Sequence, residues 1–169
     1  MRGTSLSYEH ELTVLNPATE EVVATVPAAT AADVDAAVAR ASKAQDRWAS
    51  VAPADRARLL RRFADVVDQH VEELARLEVR EAGHLLGNAR WEAGNVRDLL
   101  AYAAGGVERL NGRQIPVPGG LDVTLLEPLG VVGVFAALGT SPCRSPPGAR
   151  SPALAAGHAV VLKPAETTR

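Results

Sequence analysis

Two short, unbroken apolar runs, Val131 to Phe135 and Ala159 to Leu162, constrain this chain more than any other feature. Each has the length of a strand. An apolar run without alternation suits a strand covered on both faces, as in a parallel sheet. Parallel neighbours cannot be joined by a tight turn; they need a crossover of a dozen or more residues. The stretch from Ala136 to His158 supplies that room. The spacing therefore predicts a right-handed βαβ unit and an α/β fold.

Upstream the pattern changes twice. Glu11 to Leu15 and Glu21 to Val26 read as short strands joined by the turn-forming Asn16-Pro17-Ala18-Thr19, with Pro27 ending the second. Residues 1–10 read as a flexible tail. Thr30 and Asp33 have the spacing of a capping box. Behind them Val34, Ala37, Val38, Ala41 and Trp48 recur at helical period. A second helix is expected over residues 54–82, with the stripe Leu59, Leu60, Phe63, Val66, Val67, Leu74 and Leu77 and a stop at Gly83. A third is expected over residues 88–110, burying Trp91, Leu99, Leu100 and Tyr102. Then Gln114 to Val117 and Leu121 to Glu127 read as extended segments about the turn Pro118-Gly119-Gly120.

Several function classes are disfavoured. Lys and Arg total 18 against 20 for Asp and Glu, a net charge of -2, so no basic excess points to nucleic acid. No apolar run reaches the roughly 18 residues of a membrane span. The lone Cys143 cannot form an internal disulfide, and the start of the chain lacks the apolar run of a signal peptide, so the expected compartment is cytoplasmic. His10, His70, His84 and His158 show no metal-ligand spacing, and no metal site is expected. One stretch is odd. The fourteen residues from Gly139 to Pro152 hold six glycines or prolines, a content that argues against a regular helix there.

Read together, the motifs resemble the NAD(P)-dependent aldehyde dehydrogenase superfamily. Asn16-Pro17-Ala18-Thr19 with Glu21-Val22-Val23-Ala24 resembles its opening "NPATGEVIA" signature. Trp48, Pro53 and Arg56-Ala57-Arg58-Leu59-Leu60 resemble its "W…ERARLL" helix start. Glu127 to Val134 resembles "EPLGVVGV", and Pro152 to Gly157 with Val160 to Glu166 resembles "PALAAGNTVVLKPAE". The likeness runs over residues 12 to 168. It implies the N-terminal part of such an enzyme: helices and a hairpin leading into the first βαβ of a Rossmann-like cofactor domain, here incomplete. On that reading residues 11–169 belong to the cofactor domain and residues 113–127 supply strands of an oligomerisation arm.

The chemistry of the family needs a thiolate to attack the carbonyl, amide donors for the oxyanion, a base to activate water, and a bound nicotinamide. The resemblance carries over only part of the last. Lys163 and Glu166 match the "KPAE" positions that bind the adenine-side ribose, and the 2′-phosphate where NADP is used. The implied cofactor is NAD or NADP, held weakly or not at all by this chain alone. The family's catalytic cysteine and base glutamate match no position here. Cys143, in Ser141-Pro142-Cys143-Arg144, is outside the nucleophile motif and reads as an incidental thiol. The expectation is a chain inactive by itself, or a non-catalytic remnant or interaction module. Its expected partners are a second copy of itself or a complementary aldehyde dehydrogenase chain.

The family follows its "VVGV" strand with a "PWNFP" turn, whereas residues 135–151 contain no tryptophan or asparagine before the likeness resumes at Pro152. A local reading-frame excursion explains such a patch. The coding DNA of residues 135–151, read in its other two frames, is expected to yield a "PWNFP"-like turn and an apolar helix; neither frame doing so would rule the excursion out.

Overall fold

The computed structural model describes residues 11–136 and 145–165, with side chains of the second stretch described from Arg150 onward. β1 (Glu11–Leu15) and β2 (Val22–Pro27) form the expected antiparallel hairpin. Asn16 closes its turn, with Oδ1 accepting from the Ala18 N–H at 2.9 Å. Pro17 in that turn packs on Gly83 at a helix end. Gly83 has φ 72°, and a Cβ there would lie 2.7 Å from Pro17 Cγ. The position thus needs glycine for its backbone and for its contact.

α1 (Ala31–Ala49) starts with the capping box its sequence predicts: Thr30 Oγ1 accepts from the Asp33 N–H, and Asp33 Oδ2 accepts from the Thr30 N–H. The Thr30 N–H and the Thr30 hydroxyl, both donating to Asp33 Oδ2, hold the Asp33 carboxyl below its ordinary range. The inner face differs from the expected one. Ala37, Ala41, Gln45 and Trp48 are half-buried, while Val34 and Val38 are exposed. The face is set by polar Gln45 and by Trp48 Nε1, which apolar periodicity does not register.

The single helix expected over residues 54–82 is two helices, α2 (Pro53–Gln69) and α3 (Val71–Ala82). His70, at φ −110° and ψ 12°, separates them, and its N–H closes onto Val67 O three residues back rather than four. The apolar stripe runs across the break, which is why the pattern alone hides it. Both helices pack on α4 (Leu86–Gly106), which ends in a 3₁₀ turn, Val107–Arg109. Ala57, Leu60, Ala64 and Val67 of α2 face Val96, Leu100, Ala103 and Ala104 of α4. Small residues on both sides let the helix axes approach closely. This corrects the expected core. Leu59, Phe63, Val66 and Leu77 are exposed, as are Trp91 (65%) and Tyr102 (82%), whereas Leu100 is buried at 2%. The large side chains lie one position off the small-residue seam. On the outer surface Arg90 donates to both Glu72 oxygens at 2.7 and 2.9 Å and, with help from Arg76, holds the Glu72 carboxyl at about 2. No helix of the described residues is long and apolar enough to cross a membrane.

β3 (Gln114–Val117) and β4 (Gly120–Val123) form a second, wholly exposed hairpin around Pro118-Gly119. β4 ends four residues before the expected Glu127, after one further bond from Thr124 N–H to Arg113 O. The βαβ unit follows. β5 (Val131–Phe135) and β6 (Ala159–Lys163) pair in parallel, with α5 (Ser145–Ala155) between them in sequence. The expectation that the Gly/Pro-rich stretch excludes a regular helix is corrected from Ser145 onward. Pro146 and Pro147 fall in the first turn, where backbone N–H groups have no helical acceptor to lose. Only Pro152 gives up an interior ladder bond.

Leu100→Ala is expected to destabilise the chain by about 2–5 kcal/mol in denaturant unfolding, and Tyr102→Ala by no more than about 0.5 kcal/mol. Equal costs would refute the small-residue seam as the core.

Candidate functional site

The site begins at the shared carboxyl edge of β5 and β6. Their register pairs Val131 with Ala159 and Phe135 with Lys163, so the two strands end side by side. The Ala136 N–H donates to Lys163 O at 2.9 Å and closes the edge. Lys163 is exposed there, and Ala165, buried at 1%, anchors the chain just beyond it. In open α/β sheets this is the edge at which ligands bind. A cationic side chain there can meet a phosphate or donate to ribose oxygens. Glu166, the other residue singled out from the sequence, lies outside the described residues, as does Cys143.

The edge is positioned from behind by the turn between α5 and β6. The Ala153 carbonyl accepts from the His158 N–H at 2.9 Å and the Leu154 carbonyl from the Gly157 N–H at 3.1 Å. That is a Schellman closure, with Gly157 at φ 91°. α1 reaches across to it. Gln45 Nε2 donates to Gly157 O at 2.9 Å while Gln45 Oε1 accepts from the Ala159 N–H at 2.5 Å. Trp48 Nε1 donates to Leu154 O at 3.0 Å. From α2, the buried Arg56 fills the space beneath: a Cβ on Gly157 would lie 2.5 Å from Arg56 Nη1 and 3.0 Å from Pro128 Cγ. Desolvation pushes the Arg56 guanidinium below its ordinary value, and its Nε makes no hydrogen bond. Gly157 is thus fixed by its backbone angle and by lack of room. Sequence reasoning missed Gln45 and Arg56, because their partners lie about a hundred residues away and polar residues leave no mark on an apolar pattern.

A second group was also missed. Glu78 on α3, His84 in the following loop and Glu92 on α4 bring their ligand atoms within 4.8 Å of one another. His84 Nδ1 lies 3.4 Å from Glu78 Oε1 and 3.5 Å from Glu92 Oε2. The histidine spacing gave no hint of it. A usable signal was present on α4, where Glu92 interrupts the buried row Ala89, Ala93 and Val96.

Residues 4–169 match the aldehyde dehydrogenase family. Hydroxyisobutyraldehyde dehydrogenase of Mycolicibacterium austroafricanum is 39% identical over 155 residues, covering 91% of this chain and 31% of that protein. HpcC of Thermus thermophilus superposes with a TM-score of 0.89 at 32% identity, over 94% of this chain and 31% of its own. A betaine aldehyde dehydrogenase variant of Staphylococcus aureus, in complex with NAD+, superposes with a TM-score of 0.88 at 30% identity, over 94% of this chain and 33% of its own. The chain thus spans about a third of the length of these relatives. With the βαβ edge, the hairpins and the helical layer all shared over nearly its whole length, the chain belongs to the aldehyde dehydrogenase family.

Proposed function

We propose that this chain forms the adenosine-side wall of an NAD or NADP pocket of Rossmann-like type, and that it does not oxidise aldehydes by itself. The observation that carries the reading is the position of Lys163, exposed on the last residue of β6 at the carboxyl edge of the parallel pair. The side chain suits the ligand: an ammonium at that edge can hold a ribose oxygen or a 2′-phosphate. Glu166, three residues on in the same "KPAE" motif, would accept hydrogen bonds from ribose hydroxyls. When bound, the dinucleotide supplies the acceptor for the hydride of aldehyde oxidation. Two structural relatives, the Staphylococcus aureus enzyme and PnpE, are in complex with NAD+.

The reaction needs more than this wall. It needs a nucleophilic thiol and a base for thioester hydrolysis, and no residue here matches either family motif. Activity therefore requires residues of the kind found in the rest of the relatives' length, whether in the same or a second polypeptide. Among the described residues the β5–β6 sheet has two strands and so two outer edges for further strands, and exposed edges favour association. That supports pairing with a complementary aldehyde dehydrogenase chain or with a second copy. A second reading, a non-catalytic interaction module, is favoured by the loss of the "PWNFP" turn after β5.

Calorimetric titration of the purified 169-residue chain with NAD+ and NADP+ tests the proposal. Saturable binding is expected, weakened roughly tenfold or more by Lys163→Met, as loss of a charged hydrogen bond implies. No NADH should form with any aldehyde. Binding indifferent to the substitution would refute the assigned wall, and steady NADH formation would refute the inactivity.

A further inference from the structure

We propose that Glu78, His84 and Glu92 form a binding site for one divalent transition-metal ion of the Zn2+ type, which ties the end of α3 and its following loop to α4. The first argument is spacing. Ligands around a tetrahedral zinc sit about 2.0–2.2 Å from the metal, which places neighbouring ligand atoms roughly 3.3–3.6 Å apart. His84 Nδ1 lies 3.4 Å from Glu78 Oε1 and 3.5 Å from Glu92 Oε2. Those separations are long for N–H···O hydrogen bonds, which cluster near 2.7–3.2 Å.

The second argument is burial. The Glu92 side chain is only 7% exposed, and its Oε2, aimed at His84, makes no hydrogen bond; His84 Nδ1 makes none either. A buried carboxylate oxygen left so is costly unless a cation meets it. A metal replacing the Nδ1 proton would bond both atoms at once.

The third argument concerns the choice of ion. One imidazole and two carboxylates make three protein ligands, and the 29% exposure of His84 leaves a route for a water as the fourth. That set suits zinc, whereas calcium takes six to eight oxygens and magnesium keeps an octahedral, mostly aqueous shell. The site lies on α3, its loop and α4, none of which carries Lys163, so its occupancy does not depend on dinucleotide binding.

The test uses the EDTA-treated 169-residue chain, titrated with ZnCl2 by calorimetry and with CoCl2 by visible absorption. A single zinc ion should bind and raise the Tm, cobalt should give the d–d bands of a low-symmetry four-coordinate site, and MgCl2 should do neither. His84→Ala and Glu92→Gln should weaken zinc by about tenfold or more. His70→Ala, which removes the surface His70–Glu73 pair, should leave it unchanged. His84→Lys guards against unfolding, since it keeps a cation between the carboxylates but removes the metal ligand. This variant should fold and lose the zinc response. Failure of the parent chain to bind zinc, or a full zinc response in His84→Lys, would overturn the proposal and leave an imidazolium–carboxylate cluster.

Discussion

The placement of β6, whose carboxyl end carries Lys163, depends on one side chain that grips the strand at its amino end. Gln45, on α1, holds both Gly157 O and the Ala159 N–H, at the turn that leads into β6 and at the strand's first amide. A turn with a positive-φ glycine is well defined locally, but its placement relative to the helical layer is a long-range matter. The two amide bonds of Gln45, the indole bond of Trp48 to Leu154 O and the guanidinium of Arg56 beneath Gly157 settle that placement. The apolar side chains of α5 and β6, among them the buried Ala155 and Ala159, do less to fix that placement, because dispersion and burial are not directional.

The helical layer gains its rigidity differently. α2 and α4 meet through alanines, with Leu60 and Leu100 as the larger members. A seam of small residues lets backbones come close and leaves the bulky side chains on its flanks. The exposed Phe63, Trp91 and Tyr102 follow from that arrangement. In relatives about three times as long, such faces have more chain available to cover them.

Much of this fold could be read from the residues. The Asn16 turn, the Thr30–Asp33 box, the stop at Gly83 and the parallel pair β5–β6 are local signals or strong patterns, and each forms where expected. The misreadings have two causes. The inner face of α1 is decided by partners about a hundred residues away, whereas the break at His70 and the helix through Pro152 turn on backbone geometry that an apolar stripe or a proline count does not register. The site divides the same way. Lys163 is legible as a candidate because a motif names it, and it lies exposed on the last residue of β6. Gln45, Arg56 and the Glu78–His84–Glu92 group were invisible because no short spacing links their members. Glu92 alone left a trace, as a carboxylate within an apolar row.

The clamp can be tested apart from any ligand. In Gln45→Leu, which keeps the volume and removes both bonds, hydrogen exchange of the backbone amides in β6 should accelerate about tenfold or more, as loss of roughly 1–3 kcal/mol implies. Amides of α2 and α4 should keep their protection. Unchanged exchange in β6 would show that the turn is held without Gln45, and would contradict the view that α1 positions the edge.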